Sequence, residues 1–361
     1  MVLLILHCNA KLLSQDDFKL AEDELSSHTF SVAFHAGNLI PHYEFMEVYN
    51  EKTIKAFTLS AEKRIDDLWA SNFKNFQRGI EIHHTSLGSK SVLGNATHAL
   101  VYMRLGVLSG YKKDSLSSAR GSIKLGGGLG LLTQRFDLET NHLNAVIGTH
   151  LNISMTAELS YRFKLKKKFC ISPSIKFTHY SNAAFKKPNL GINLITVGVS
   201  FQNSVSNYAV QSETRKPFSK NKSLNAIMLL GFNSARILSK TYPNATVGVS
   251  YIKTKSKINY GGLLDVQFNQ AYKNSEELNL DKSESWRASI GVLGGLQFGK
   301  SSLTADLGFY LRNQIPDLTP YYERLYFNHD VFNGLSLRVG IKAHGTVAET
   351  LEFGLTKTLV K

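Results

Sequence analysis

Two residues with reactive side chains, His179 and Ser181, lie two positions apart at the end of a segment that alternates apolar and polar residues. In a β-strand, residues two apart point to the same face. That face also carries Ile171, Ile175 and Phe177, so it is the apolar one. A histidine beside a serine can act as the base that activates a serine nucleophile. The pair indicates serine-based hydrolysis on an apolar surface, and polar strand ends are the simpler alternative.

A third polar residue, Asn193, opens the apolar face of the next alternating segment, 192–202. If the loop between the two segments closes a symmetrical hairpin centred on residue 186, His179 and Asn193 lie opposite each other. Opposed side chains on one face of a sheet have Cβ atoms about 5 Å apart. Nucleophile, base and a residue that orients the base form a generalised triad. We therefore predict that Ser181, His179 and Asn193 cluster.

The elements that must hold these residues are defined by alternation with a period of two. In 151–163 every odd position is apolar and every even position is polar, and 169–181 and 192–202 follow the same rule with few lapses. Such alternation predicts β-strands with one apolar face. Fifteen strands are predicted, near 29–36, 54–61, 78–85, 96–106, 118–131, 146–163, 169–181, 192–202, 223–234, 245–254, 257–268, 285–298, 301–313, 335–344 and 347–359.

The polar faces of these strands decide between a soluble sandwich and a membrane barrel. A sandwich also alternates, but its strands are short and separated by turn-rich loops. Here the segments are long, several are joined by very short turns, and the polar faces mix charged residues with Tyr, Ser and Gly. Those features are typical of a barrel lumen. We predict an all-β fold, an antiparallel transmembrane outer-membrane β-barrel of about 12–14 strands, since bacterial barrels use even numbers.

Composition narrows the remaining choices. No apolar run reaches the roughly 18 residues that a spanning helix needs. The formal net charge is +14, but the basic residues are scattered and form no aromatic-interleaved patch, so no nucleic-acid partner is expected. Residues 1–28 are interpreted as an N-terminal tail or the remnant of a signal segment. With no linker or composition break, 29–361 is predicted to be a single barrel domain, with one helix at 62–76.

No cofactor or metal is expected from the sequence. The histidines at 83, 84, 98, 142 and 150 lack metal-ligand spacing, and His98 and His344 alternate with apolar neighbours as lumen residues do. The glycines of 121–132 are a weak signal for a nucleotide loop, because no helix pattern follows them. Glycine within strands instead suits tight curvature in a barrel.

Barrel topology predicts which rim carries the site. Outer-membrane barrels keep short turns on the periplasmic side and longer loops outside, so the turn at 164–168 is expected to be periplasmic. A strand rising from residue 169 reaches the outer rim after about ten residues, which is where His179 and Ser181 lie. The site then faces the outer leaflet. Lys186 and Lys187, in the adjoining loop, are placed to meet lipid phosphates or simply to be solvated.

The residues around this pair also carry a family resemblance. "HYSNAAFKKPNLG" (179–191) resembles the signature of the PagL-type lipid A 3-O-deacylases, outer-membrane β-barrels, and of their longer acyloxyacyl-hydrolase-like relatives. "GNLIPH" (37–42), "GGGLGLLTQRFD" (126–137) and "NAVIGTHLN" (144–152) are similar to the longer relatives. The resemblance covers roughly residues 30–202 and is weaker in the C-terminal third.

This resemblance implies hydrolysis of the ester-linked acyl chain at the 3-position of lipid A, without a cofactor, in the outer membrane of a Gram-negative bacterium. It implies that His179 is the base, Ser181 the nucleophile, and Asn182 and Asn189 residues that shape the site or its oxyanion hole. The position of the family's catalytic glutamate is Asn193 here. The partner is then lipopolysaccharide. The alternative is a catalytically silent barrel with a structural or lipopolysaccharide-binding role, and a soluble hydrolase is a third reading.

Overall fold

The computed structural model describes residues 28–65, 67, 69–73, 75–108, 121–166, 169–203, 220–273, 285–315, 319–345 and 347–360. The segment predicted as an N-terminal tail therefore lies almost wholly outside the described residues. Within them the chain is nearly all β-structure, and no helix there is long and apolar enough to cross a bilayer.

Nine strands form the first half of the chain. They are β1 (His28–Leu39), β2 (Ile54–Arg64), β3 (Gln77–Ser86), β4 (Asn95–Leu108), β5 (Gly121–Leu132), β6 (Leu151–Tyr161), β7 (Phe163–Lys166), β8 (Phe169–Ser181) and β9 (Ile192–Asn203). Neighbouring strands pair antiparallel in the order β6-β5-β4-β3-β2-β1-β9-β8, and β6 pairs with β8 to close the ring. Strand β7 pairs only with the start of β8. This ring of eight strands is the first barrel.

Eight further strands form the second half. They are β10 (Lys220–Asn233), β11 (Tyr242–Lys255), β12 (Ile258–Asn269), β13 (Trp286–Phe298), β14 (Ser301–Arg312), β15 (Tyr321–Phe332), β16 (Leu335–His344) and β17 (Val347–Val360). Each pairs antiparallel with the next, and β10 pairs with β17, so the sheet closes into the second barrel. One short helix, α1 (Gln270–Lys273), follows β12.

The predicted class, an all-β antiparallel barrel, is confirmed, but the strands are divided differently from the expectation. Instead of one barrel of about 12–14 strands over residues 29–361, they close into two barrels of eight. Alternation identifies strands and their faces but not which strand closes on which, because closure depends on the pairing of β6 with β8 and of β10 with β17. That pairing leaves no mark on the period-two pattern.

All fifteen predicted strands are present, and the sequence missed two of the seventeen described strands, β7 and β15. Strand β7 occupies part of the segment 164–168 that was predicted to be a turn. Strand β15 reads YYERLYFNHDVF, in which tyrosines and charged residues occupy both faces and hide the alternation. The helix predicted at 62–76 is wrong. Strand β2 continues to Arg64, and only a 3-10 turn forms at Ala70–Asn72. The apolar residues there instead form a packing cluster in which Phe73 and Phe76 contact Phe298 of the second barrel and Trp69 packs against Phe76.

Both barrels have an apolar outer wall and a charged, filled lumen. On β8, Ile175 and Phe177 are exposed on the outer wall, whereas Lys176, Thr178 and Tyr180 are buried inside, as the sequence predicts. In the first lumen, Glu81 contacts the ammonium groups of Lys124 and Lys176. In the second lumen, Arg324 contacts Glu352, Asp265 and Asp306. Ion pairs of this kind satisfy charges that burial would otherwise destabilise.

The two barrels contact each other at both ends. We call the end of the first barrel that carries loops 40–53, 87–94, 133–150 and 182–191 the upper rim. At this rim, loop 234–241 of the second barrel meets loop 182–191. At the other end, the cluster of Phe73, Phe76 and Phe298 joins the barrels. The barrels therefore stand side by side with their upper rims at the same end.

An apolar cluster closes the first barrel beneath its upper rim. Its buried members are Leu39, Met46, Tyr49, Ile54, Leu87, Leu93, Ala96, Leu132, Val146, Ile147, Tyr180, Ile192 and Leu194. Tyr180 and Ile192 belong to the ends of β8 and β9, directly beside His179 and Asn193 in the chain. Because these inward side chains are fully packed, the outward side chains next to them are held on a rigid support.

Candidate functional site

The histidine and asparagine predicted to face each other do so. In the β8–β9 register, His179 lies opposite Asn193. Their side chains meet on the outer wall, with His179 Nδ1 2.6 Å from Asn193 Oδ1. Since an amide oxygen only accepts, Nδ1 carries the proton and Nε2 is left as the basic nitrogen. The pairing therefore fixes the tautomer that a general base requires.

A second histidine, His42, contacts the far side of the same amide. Its Nδ1 lies 3.3 Å from Asn193 Nδ2, which donates the hydrogen bond. This contact holds the amide with its nitrogen toward His42 and its oxygen toward His179. The sequence reasoning missed His42, although it ends the segment "GNLIPH" that carries part of the family resemblance. No regular spacing connects residue 42 with residues 179–193, so the resemblance was the only signal.

Ser181 is buried at the end of β8, two residues after His179. Its Oγ donates to Asn189 Oδ1 at 3.1 Å and accepts from the backbone N–H of Ala183 at 3.0 Å. The hydroxyl proton thus points to Asn189 in this conformation. For His179 to act as the base, this proton must turn away from Asn189 toward Nε2, and catalytic hydrogen bonds often align only when substrate is bound.

The loop that follows Ser181 is closed by the two predicted asparagines. Asn189 Oδ1 also accepts from the backbone N–H of Asn182 at 2.8 Å. Asn182 Nδ2 donates to the carbonyl of Lys186 at 2.8 Å. Both asparagines are buried, so their hydrogen bonds stabilise one loop conformation beside the serine. The five predicted site residues thus form two hydrogen-bonded groups, His179 with Asn193 and Ser181 with Asn182 and Asn189, which lie side by side because Ser181 follows His179 by two residues on β8.

The turn inside this loop has an unusual backbone. Ala183 and Ala184 both have positive φ, at 51° and 60°. Residues other than glycine rarely adopt this backbone conformation. Both are buried, and the second barrel supports the turn, because the backbone N–H of Ser234 donates to the carbonyl of Ala184 at 2.8 Å. Thr241 Oγ1 donates to the carbonyl of Phe185 at 2.7 Å. The second barrel thus contacts the backbone three and four residues after Ser181.

Glycine is required at position 191. Its φ is +81°, and a Cβ there would lie 2.7 Å from Cε1 of His179. Such a separation is well inside contact distance. The absence of a side chain at Gly191 therefore makes room for the imidazole.

The charged groups of the neighbouring loops have different roles. Lys186 is exposed. Lys187 is partly buried, and this burial lowers the pKa of its ammonium group, an effect that the Glu349 carboxylate partly opposes. Asp137 accepts from the backbone N–H groups of Glu139 and Thr140 and from the Thr140 hydroxyl, and these bonds hold its pKa below the ordinary value. The Asp137 carboxylate therefore stabilises the turn formed by residues 137–140.

Beneath the site, a chain of polar side chains runs into the first lumen. Tyr180 OH lies 2.8 Å from His98 Nδ1, and His98 Nε2 lies 3.3 Å from Glu81. Ligand atoms of Glu81, His83 and His98 lie within 4.8 Å of one another. However, the ammonium group of Lys176 contacts both Glu81 and His83, so a fixed positive charge takes the position that a cation would need.

Comparisons with known proteins follow the division into two barrels. A family model described as "Lipid A 3-O-deacylase (PagL)" matches residues 57–202, and one described as "Acyloxyacyl hydrolase, C-terminal domain" matches residues 222–360. Together the matches span most of the chain, one for each barrel. The chain belongs to the PagL-type family. The C-terminal third, where the sequence resemblance is weaker, is matched as well.

The remaining comparisons add little. No curated protein matches the chain. Among solved structures, a triple mutant of the Rhodopseudomonas blastica porin is 7% identical, with 92% of this chain and 99% of the porin covered and a TM-score of 0.18. Another mutant of that porin is 8% identical, with the same coverage and TM-score. At that identity and TM-score, the likeness carries no argument about this chain.

Proposed function

We propose that this protein is a serine esterase that hydrolyses the acyl ester at the 3-position of lipid A. Membership of the PagL-type family establishes lipid A deacylation in general terms. The observation that carries the finer proposal is the pairing of His179 with Asn193 on an outer barrel wall, with Ser181 two residues away on the same wall. An apolar wall presents such a group to an acyl ester that stays in the bilayer.

The proposed reaction uses an acyl-enzyme. Ser181 Oγ attacks the ester carbonyl carbon while His179 Nε2 takes the hydroxyl proton. The tetrahedral intermediate then breaks its bond to the sugar oxygen, which receives that proton and leaves as the free 3-hydroxyl group. Water next attacks the acyl-serine, His179 again takes the proton, and Ser181 is restored as the fatty acid departs. Asn193 keeps Nδ1 protonated throughout.

The asparagine at position 193 sets a limit on this chemistry. A carboxylate in that position both orients the imidazole and stabilises the imidazolium that forms as serine loses its proton. The amide of Asn193 performs only the first role. We therefore propose a slower enzyme than one with an acidic residue there.

We further propose that the protein lies in the outer membrane, with the upper rim facing outward. Support comes from the exposed apolar side chains on the walls of both barrels, such as Ile175, Phe177, Val292 and Leu307. An apolar band of this kind is the surface that a transmembrane barrel presents to lipid. The two longest described loops of the first barrel, 40–53 and 133–150, belong to the upper rim. The site lies beside this rim, so in the proposed orientation it faces the leaflet that contains lipopolysaccharide.

Mass spectrometry of lipid A incubated with the refolded protein tests the proposal. The wild-type protein should remove one hydroxyacyl chain, from the 3-position, and Ser181→Ala should abolish the loss. Ser250→Ala is the matched control, because Ser250 is also buried but lies in the second barrel. Unchanged lipid A in several detergents and in liposomes would contradict the esterase and leave the catalytically silent, lipopolysaccharide-binding barrel.

A further inference from the structure

An apolar cleft of about 630 Å³ lies between the two barrels. On the first barrel its wall is Met155, and on the second barrel it is formed by β13 to β16. Val292, Leu307, Leu325 and Ile341 are its large outward apolar side chains, the first three exposed by 60%, 38% and 45%. Glu323 also lines the cleft, and its carboxylate accepts a hydrogen bond from the backbone N–H of Gly345. A volume of this size is within the range of small-molecule sites, about 300–1,000 Å³.

The cleft begins directly beside the proposed site. Strand β6 pairs with β8 so that Met155 lies opposite His179 and Ile153 opposite Ser181. Side chains opposed in this way have Cβ atoms about 5 Å apart. All four belong to the outer face of the first barrel, since the residues between them, such as Ser154 and Tyr180, are buried inside. The apolar wall of the cleft is therefore continuous with the outer face that carries the histidine and the serine.

Two small residues make the hollow in the second barrel. Gly294 and Ala305 lie opposite each other on β13 and β14, and Ala305 lies opposite Leu325 on β15. A Cβ added at Gly294 would have no atom within 4 Å, so open space lies above this part of the wall. The result is an apolar recess bounded by larger side chains, suited to an extended hydrocarbon chain.

We infer that this cleft binds the acyl chain whose ester bond Ser181 cleaves, and that the second barrel thereby sets the preferred chain length. The inference rests on the proposed function. An ester carbonyl placed at Ser181 lies at the upper end of β8, so its acyl chain extends downward along the outer walls. Met155 is the neighbour of His179 across the strand pair, and the cleft opens from it. The membrane lipids around the protein are the competing source of acyl chains.

Filling the hollow tests chain-length selection. Gly294→Leu should fold normally because the added side chain enters open space. Because the acyl chain is already out of water in the bilayer, the cleft selects its length through packing contacts and shape, and a side chain that fills the hollow removes those contacts. We therefore expect kcat/KM for a substrate with a chain of about 14 carbons to fall at least tenfold, while that for a chain of about six carbons stays within twofold. Ala305→Phe should act in the same direction.

Gly127→Leu is the matched control. Gly127 is exposed on the outer face of β5, an added Cβ there also meets no atom within 4 Å, and the residue does not line the cleft. It lies one strand beyond Met155. The chain-length profile of this variant should match that of the wild type. An unchanged profile in Gly294→Leu, or an equal change in Gly127→Leu, would overturn the inference.

A binding experiment separates this inference from the proposed function. Ser181→Ala protein in liposomes is photolysed with a lipid A analogue that carries a diazirine at the end of its 3-position acyl chain. Crosslinks should map to β13–β15, and unlabelled lipid A should suppress them. Equal crosslinking of the same residues by a diazirine phospholipid would show a permanent membrane-lipid site, and crosslinks elsewhere would show another path. Either result overturns the cleft assignment, even if the wild-type enzyme is active. Conversely, crosslinks to β13–β15 can be obtained even if the wild-type protein does not hydrolyse lipid A.

Discussion

The two barrels share one architecture and differ in where their polar side chains lie. Each has eight antiparallel strands, an apolar outer wall and a lumen filled by ion pairs, such as Glu81–Lys124 in the first and Glu352–Arg324 in the second. Only in the first does the family comparison name a deacylase. The outer wall of that barrel carries His179 and Asn193 at positions where the period-two alternation predicts apolar residues.

This difference indicates that the chemistry does not come from the barrel as such. Most buried lumen charges of both barrels lie in ion pairs, which offset the cost of removing these charges from water. The distinguishing features of the first barrel are three polar residues at strand ends and the loop at 182–191. The second barrel contributes by contacting that loop through Ser234 and Thr241. The comparison therefore supports the proposal that catalysis belongs to the first barrel and that the second barrel supports its loop.

The largest effect short of removing Ser181 is expected at Asn193. Asn193→Leu removes the acceptor for His179 Nδ1, so the imidazole rotates and loses its tautomer. General-base assistance is typically worth about 10²–10⁴-fold, and we expect a loss of kcat in that range. Asn193→Glu should keep or raise activity, because a carboxylate also stabilises the imidazolium. Rates of fatty-acid release measure both variants. Full activity in Asn193→Leu would mean that another residue orients His179.

A smaller effect is expected at His42, which holds the Asn193 amide in its orientation. His42→Leu removes the acceptor for Asn193 Nδ2, and the loss of one hydrogen bond corresponds to about a two- to tenfold fall in kcat. His42→Gln should restore most of the rate, because a glutamine side-chain oxygen also accepts. In an Asn193→Glu background, where no amide needs orienting, His42→Leu should have little effect. An equal loss in both backgrounds would show that His42 acts only on general stability.

Much of this architecture could be predicted from the sequence. Period-two alternation located fifteen of the strands and the outward direction of Ile175 and Phe177. A symmetrical hairpin centred on residue 186 correctly placed His179 opposite Asn193. Closure into two barrels could not be predicted. It depends on which distant strands pair, and all the strands show the same alternation of apolar and polar residues. His42 was missed for a similar reason: its contact with Asn193 joins residues 151 positions apart.

The support that the second barrel gives the catalytic loop should be measurable at Thr241. Thr241→Val removes the hydrogen bond to the carbonyl of Phe185. Because this bond is exposed, we expect only about a two- to fivefold fall in kcat, at the lower end of the usual range for one hydrogen bond. Thr254→Val is the control, since Thr254 also bonds through its hydroxyl, to Asn259, but lies at the opposite end of the second barrel. An equal change in both variants would contradict a specific supporting role.

The smallest effect is expected in loop 133–150, whose acids Asp137 and Glu139 could supply the charge that Asn193 lacks. The structure places the Asp137 carboxylate in hydrogen bonds with the Glu139 and Thr140 N–H groups and the Thr140 hydroxyl. We therefore expect Asp137→Asn and Glu139→Gln to change ester hydrolysis by less than about twofold, a size typical of surface substitutions.

The pH dependence of that loop gives an independent check. The folded pKa of Asp137 lies below its ordinary value because the N–H groups and the hydroxyl stabilise the carboxylate. The stabilisation of the turn is therefore complete above the unfolded pKa and disappears as the pH falls through the folded one. Near neutral pH, the hydrogen-exchange protection factor of the Thr140 amide should be independent of pH in wild type and lower in Asp137→Asn. If Asp137→Asn instead stops ester hydrolysis while the barrels stay folded, the missing charge comes from this loop, and catalysis by the first barrel depends on more than its strand ends.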